Sequence, residues 1–275
     1  MTSVQGRAVL LTGASGSIGS EVARRLAALG ARLALTGRRE AQLQELAQEI
    51  AVSGRDRPVV LPGDLGQPGE AARVAEGATT ELGRVDVLVN NAGVTMQGLT
   101  WVAGDGAWAR AVFETNLWGP LALVAALSPG MLERREGVIV NIGSMAGVSP
   151  LPRLGAYAAS RAALATATRV MQLELGPRGV HVVEVVFGPI DTPSAREARV
   201  IGGPPNKMLL GELAGAAETI VDAITGDADG ALFFPRALRW SRTLPWLTRG
   251  VSRVLAPEAD LEDTTLRFGR PSSKG

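Results

Sequence analysis

Short, almost wholly apolar runs recur along the chain between segments of helix length: "RAVLLT", "RLALTG", "PVVLPG", "VDVLVN", "GVIVNI", "HVVEVV" and "ALFF". A strand with one wet face alternates apolar and polar residues; a strand covered on both faces need not. Runs of this kind, joined by ten or more residues each, point to a parallel sheet with helices packed on both faces. The expected fold class is α/β, with a doubly wound parallel sheet of about seven strands. Two helices are clearest: Gly19 to Leu29, and about Ala156 to Leu175, which ends at the breakers Gly176 and Pro177. From Ser194 to about Leu213 the strand rhythm stops and "GGPP" intervenes, which reads as a mobile loop or lid. Ligands of open α/β sheets bind where the chain leaves the carboxyl ends of the strands.

A chain of 275 residues fits one such domain. Its formal net charge of +1 supplies no general field for nucleic acid, so nucleic-acid binding is excluded. The absence of cysteine removes disulfides, thiol chemistry and thiolate metal sites, and no metal is expected. The one histidine, His181, falls in the apolar run "VHVVEVVF" and reads as a half-buried strand residue, not a ligand or base. The N-terminus turns glycine-rich too soon for a signal peptide or a spanning helix, so the expected location is the cytoplasm.

Between the first strand and its helix stands "TGASGSIGSE", with Gly13, Gly16 and Gly19. Small residues let main-chain N–H groups approach a pyrophosphate, and the helix N-terminus adds partial positive charge. A tight turn without a ligand fits the same residues. The tip of the second strand distinguishes the two nicotinamide dinucleotides, because an acid there accepts the ribose 2′-hydroxyl and repels a 2′-phosphate. Here the tip is Thr36, followed by Arg38 and Arg39, whose guanidinium forks suit a phosphate dianion. The expected cofactor is NADP(H); two solvated arginines at a helix start are the alternative. Asp64 and Leu65, closing the third strand, are candidates for the adenine edge.

With "TGASGSIG", "DL", "NNAG" at Asn90 to Gly93, Asn116, Ser144, Tyr157 and "FGPIDT" in this order, the chain resembles the short-chain dehydrogenase/reductase family over about residues 5 to 235. The resemblance implies a single Rossmann domain, and a homodimer or homotetramer whose interface uses the helices carrying Asn116 and Tyr157. It implies an oxidoreductase that interconverts a ketone and a secondary alcohol. Tyr157 would be the acid/base, Ser144 would hydrogen-bond the same oxygen, and Asn116 would support a water in the proton path. By the same resemblance Ser15, Gly16, Ser17, Ile18, Asn91, Ala92 and Gly93 join Gly13 and Gly19 in holding the dinucleotide. Gly188, Ile190 and Thr192 would receive its carboxamide. Met96, Met145 and Phe187 would line the substrate pocket.

Three departures stand out. The family's usual residue four places after the tyrosine is lysine, which grips the nicotinamide ribose; here it is Arg161. Four helical residues span about one turn, so Arg161 shares a face with Tyr157 and keeps the charge and donors. A free phenol ionises near pH 10, so a nearby cation belongs to the chemistry. A guanidinium does not release its proton in a protein, so a relay through this position is blocked and slowed chemistry with intact cofactor binding is expected. An enzyme tuned around arginine without deficit is the alternative. Ser17 replaces the usual glycine and puts the loop geometry in question; Phe187 replaces the usual proline before Gly188 and is placed to reach the nicotinamide or substrate.

From Ala231 to Pro257 no acidic residue occurs, while Arg236, Arg239, Arg242, Arg249 and Arg253 do. Trp240, Leu244, Leu247, Val251 and Val254 fall on one helical stripe. Residues 1–235 are therefore read as the dinucleotide-binding and catalytic domain, and 236–275 as its basic amphipathic extension. The stripe suits peripheral membrane contact and a lipophilic substrate, or packing on a partner subunit, or a lid over the site. Two functions remain: an NADP(H)-dependent reductase of a lipophilic carbonyl, and an NADP-binding relative with little or no turnover that acts through subunit or membrane contacts.

Overall fold

The structure, a computed structural model, describes residues 3–149, 151–192, 210–226, 230–239, 265 and 267–269. The seven apolar runs all form strands: β1 (Ala8–Thr12), β2 (Arg32–Gly37), β3 (Val59–Pro62), β4 (Val87–Asn90) and, after a short strand β5 (Thr95–Gln97), β6 (Gly137–Ser144), β7 (Val180–Phe187) and β8 (Gly230–Phe234). Those seven pair in the order β3-β2-β1-β4-β6-β7-β8, every neighbour parallel. The helices are α1 (Ser17–Ala28), α2 (Glu40–Val52), α3 (Glu70–Leu82), α4 (Thr100–Ala103), α5 (Ala107–Phe113), α6 (Gly119–Arg134), α7 (Gly155–Leu175) and α8 (Leu213–Thr225).

Alternate strand residues feed two apolar layers. Val9, Leu11, Leu33, Leu35, Val87 and Val89 pack with α1, α2 and α8 on one face. Leu10, Leu88, Ile139 and Val182 pack with α3, α6 and α7 on the other. Each such side chain stabilises the fold by about 1.5–3 kcal/mol relative to exposure, and the central strands β1 and β4 are buried on both faces. The chain leaves β1 toward β2 and β3, then returns to the far side of β1 at β4. That reversal opens a crevice at the carboxyl ends of β1 and β4.

A second, two-stranded sheet was not foreseen. A C-terminal strand β9 (Arg267–Gly269) runs antiparallel to β5, with Met96 opposite Phe268. Arg153 Nη2 donates to the Thr265 carbonyl at 3.0 Å, a second contact beside the β5–β9 pairing. His181 is exposed on β7 and not half-buried as the run had suggested. Among the described residues, one helical run, Ala107–Arg134, has the length and mean hydropathy (1.2) to cross a membrane, and nearly half of its apolar stretch is buried inside the fold. Most of the expected lid (residues 193–209) and the amphipathic stripe from Trp240 to Val254 lie outside the described residues.

Candidate active site

The crevice is stitched together by Thr12, the last residue of β1. Its hydroxyl donates to the Val89 carbonyl at 3.2 Å and accepts from the Asn91 and Ala92 amides, each at 2.9 Å. Asn91 returns the contact, its Nδ2 donating to the carbonyls of Thr12 (2.9 Å) and Gly13 (3.3 Å). The glycine loop and the "NNAG" segment thus form one floor. A Cβ on Gly19 would stand 2.3 Å from the Gly13 carbonyl oxygen, so α1 packs onto the loop only with glycine there. Ser17 opens α1 with negative φ, so its side chain costs the loop nothing. α1 has no side-chain cap and no acid in its first turn, which leaves its N–H groups available to an anion.

This floor lies in a cleft of about 240 Å³ that Gly13, Ser15, Gly16, Ser17, Ile18 and Gly19 line on one side. Arg38, Arg39, Asp64 and Leu65 line another side, and Asn91, Ala92, Gly93 and Thr192 also face it. Arg39 reaches across to donate to the Ser15 carbonyl, while Arg38 is exposed. Asp64 Oδ1 accepts from the Gly66 amide at 3.1 Å, which folds the turn after β3. Thr12 was missed by the sequence reading, as were the lining residues Gly37, Gly63, Val94 and Thr115. A threonine closing the strand before a glycine loop was a usable signal for the first. The others need the fold.

Ser144 ends β6 and caps the turn that follows, its Oγ accepting from the Ala146 amide at 3.2 Å; the hydroxyl proton remains for a ligand. Tyr157 and Arg161 sit one turn apart on α7, the guanidinium carbon 5.4 Å from the ring centroid. Arg161 is only 6% exposed. Its Nη1 donates to the Ile142 carbonyl at 2.9 Å, its Nε is buried without a partner, and its Nη2 makes no hydrogen bond to any described residue. A Cβ on Gly93 would stand 2.0 Å from that Nη2. The free end of Arg161 therefore lies against a wall residue of the cleft, in space that only glycine leaves open.

Asn116 lies in a π-helical turn, Glu114–Trp118, between α5 and α6. Its Oδ1 accepts from the Val94 amide (2.8 Å), and its Nδ2 donates to the Val94 carbonyl (2.9 Å) and to Ser160 Oγ (3.1 Å). Ser160 Oγ in turn donates to the Tyr157 carbonyl at 2.8 Å. Both amide hydrogens are thus committed, and a relay water would meet only an acceptor at this side chain. A second buried polar row crosses the sheet one layer deeper. Asn90 Nδ2 donates to Asn141 Oδ1 (2.9 Å), Asn141 Nδ2 to Thr168 Oγ1 (3.0 Å), and Thr168 Oγ1 to the Leu164 carbonyl (2.7 Å). It ties β4 and β6 to the helix that carries Tyr157.

The remaining expected residues are scattered. Gly188 donates its amide to the Phe234 carbonyl at 2.9 Å, and Ile190 is buried in the core and bridges to Gly211. Met145 starts the turn after Ser144, and Met96 is buried on β5. Phe187 packs edge-on against Phe234, ring centroids 6.5 Å apart, and does not line the cleft. The groups around the cleft fit a dinucleotide: an uncapped helix N-terminus over a glycine floor, two guanidinium groups at one side, and a guanidinium with a spare donor at Gly93.

Comparison with known proteins points to one family. Residues 7–200 match the family model described as short chain dehydrogenase. Dehydrogenase/reductase SDR family member 7B of Bos taurus is 38% identical over 194 residues, covering 69% of this chain and 59% of that protein. 11-beta-hydroxysteroid dehydrogenase 1A of Arabidopsis thaliana is 37% identical over 187 residues, covering 68% and 53% respectively. The chain therefore spans little more than half the length of these relatives. Among solved structures, a short-chain dehydrogenase from Sphingobium yanoikuyae in complex with NADPH superposes with TM-score 0.75 at 27% identity, over 89% of this chain and 94% of that one. A metagenomic short-chain oxidoreductase in complex with NADP gives 0.71 at 29% identity, over 84% and 97%.

Proposed function

The chain belongs to the short-chain dehydrogenase/reductase family, and from that premise we propose that it is an NADP(H)-dependent oxidoreductase interconverting a ketone and a secondary alcohol, working mainly as a reductase. The position of the Arg161 guanidinium, between the Gly93 wall and the Tyr157 ring, carries this reading.

The N-terminus of α1 and the Gly13–Gly19 loop bind the pyrophosphate, and Arg38 with the remaining donors of Arg39 meets the 2′-phosphate. Bound nicotinamide supplies the hydride that a carbonyl carbon takes. Tyr157 gives its hydroxyl proton to the carbonyl oxygen as the new C–H bond forms, and Ser144 donates a hydrogen bond to that oxygen. Arg161 sets a fixed positive charge beside the phenol as negative charge develops on it, and offers Nη2 to the ribose. Because the guanidinium keeps its protons, Tyr157 is reprotonated from solvent by a route that does not pass through Arg161. Asn116 acts as a positioning residue, fixing Val94 and, through Ser160, the first turn of α7. Replacement of Tyr157 by phenylalanine should lower NADPH consumption against a ketone panel by 10²-fold or more, with NADPH affinity in calorimetry unchanged. Wild-type rates in Tyr157→Phe would contradict the assignment.

Arg161 also favours a second reading, a dinucleotide-binding protein with little turnover, since Nη1 is held by the Ile142 carbonyl. Arg161→Lys separates the two. A gain of one to two powers of ten, about 1.4–2.7 kcal/mol of barrier, marks an enzyme slowed by its arginine. No turnover in either protein marks the second.

Exposed Trp118, Val170 and Leu173, on the outer side of the π turn and α7, support a homo-oligomer built through these helices. Residues 236–275 are read as a basic amphipathic extension of the same domain, suited to peripheral contact of a cytoplasmic protein with a membrane.

A further inference from the structure

Arg153, in the loop between Ser144 and Tyr157, has a backbone φ of 64°, a left-handed conformation that strains any residue with a bulky side chain. Glycine would meet that backbone requirement without strain, so the position uses the side chain. That side chain is buried, only 5% exposed, which is unusual for an arginine. We infer that Arg153 is a positioning residue for Tyr157: it joins the segment Thr265–Gly269 to the start of α7. The inference rests on the role proposed above for Tyr157 and adds what holds that residue in place.

Three segments distant in sequence meet in this joint. On its first side, the Arg153 carbonyl accepts from the Gly98 amide at 2.8 Å, directly after β5. Two residues on, Thr100 of α4 lies so close to Gly155 that a Cβ there would stand 1.9 Å from the threonine Oγ1. Leu154 precedes α7 and Tyr157 falls in its first turn, so the corner between β5 and α4 fixes the beginning of that helix. On the second side, β9 pairs antiparallel with all of β5, Met96 opposite Phe268. Among the described residues no further strand joins the pair, and two strands alone are marginally stable in water. The third side supplies what the pair lacks: Arg153 Nη2 donates to the Thr265 carbonyl at 3.0 Å, two residues before β9, and closes the ring. Asn116, through Ser160, holds the first turn of α7 from its C-terminal side, and the joint holds it from its N-terminal side. Asn116 also holds Val94, which lines the cofactor cleft, so loosening the joint moves the start of α7 and leaves the cleft in place.

Tyr157 is the only tyrosine in the chain, so tyrosine isotopically labelled at the ring carbon that bears the hydroxyl gives one magnetic resonance signal, from this site alone. The test compares the full chain with two variants. Arg153→Gly accepts the positive φ and removes only the side chain; Phe268→Pro removes a strand N–H and breaks the pairing of β9 with β5. Each should displace the Tyr157 signal and lower kcat for ketone reduction by about tenfold or more, with NADPH affinity in calorimetry unchanged. Because both act through one joint, the double variant should lose little more than the worse single one, not the product of the two losses. An unmoved signal or an unchanged kcat in either variant, or losses that multiply, would overturn the inference. If the wild-type protein reduces no ketone, the proposed function fails and the Tyr157 signal alone decides: displacement in both variants supports the joint, and constancy in either overturns it.

Discussion

Replacing Arg161 with methionine sets stability against activity in a way that the geometry makes predictable. The side chain is 6% exposed and has no acidic partner among the described residues, so a charge is buried without a counter-ion. In its favour stand a charge-assisted hydrogen bond to the Ile142 carbonyl, about 1.5–3 kcal/mol, and the contact with the Tyr157 ring, about 0.5–2 kcal/mol. Against it stand the desolvation of the guanidinium, several kcal/mol, and the buried, partnerless Nε, about 1–3 kcal/mol. Summed, the costs at least match the gains, and methionine fills much of the volume of the arginine stem. Arg161→Met should therefore unfold in urea with a free energy within about 1 kcal/mol of wild type, or above it. Ketone reduction should fall by about 100-fold, near 2.7 kcal/mol of barrier. A variant destabilised by more than about 3 kcal/mol with an unchanged kcat would refute the reasoning, because the residue would then be a structural tie and not a functional charge.

Two further outcomes follow from the same structure. Thr168→Val keeps the shape but strands the buried Nδ2 of Asn141, so it should cost about 1–3 kcal/mol and lower kcat with little change in NADPH affinity; Thr168→Ser should restore both. An unaltered kcat in Thr168→Val would show that the polar row does not position α7. At the surface, the Arg24 guanidinium holds the Glu49 carboxyl below the usual carboxylate range through a hydrogen bond and its charge. With the folded value below the unfolded one, the pair's contribution is present at neutral pH and disappears as pH falls through the folded value. Screening keeps it under about 1 kcal/mol, so Glu49→Gln should shift the urea midpoint slightly at pH 7, and the shift should shrink as the pH is lowered.

Elements that depend on local composition were legible in the sequence. The strands of the main sheet read as largely apolar runs, most completely in β1 and β4, which are buried on both faces, and the limits of α1 and α7 follow from glycine at one end and Gly176-Pro177 at the other. The motifs around Gly13, Asn91 and Tyr157 were readable because each depends on residues close in sequence. What required the structure depends on register or on distant partners. "TMQ" at β5 has no strand signature, and its partner β9 is 170 residues away and three residues long. The polar row of Asn90, Asn141 and Thr168 exists only because β4 and β6 pair with those two asparagines level. The surroundings of Phe187 depend on register in the same way. It lies on the strand face that packs with Phe234, and sequence order alone does not say which face that is.

The most direct measurement is calorimetric titration of the protein with NADPH and NADH, repeated in Arg38→Glu. The account predicts that NADPH binds at least tenfold more tightly than NADH, about 1.4 kcal/mol, and that Arg38→Glu erases the difference while NADH binding persists. Binding of neither dinucleotide, or a preference for NADH in the wild-type protein, would contradict it.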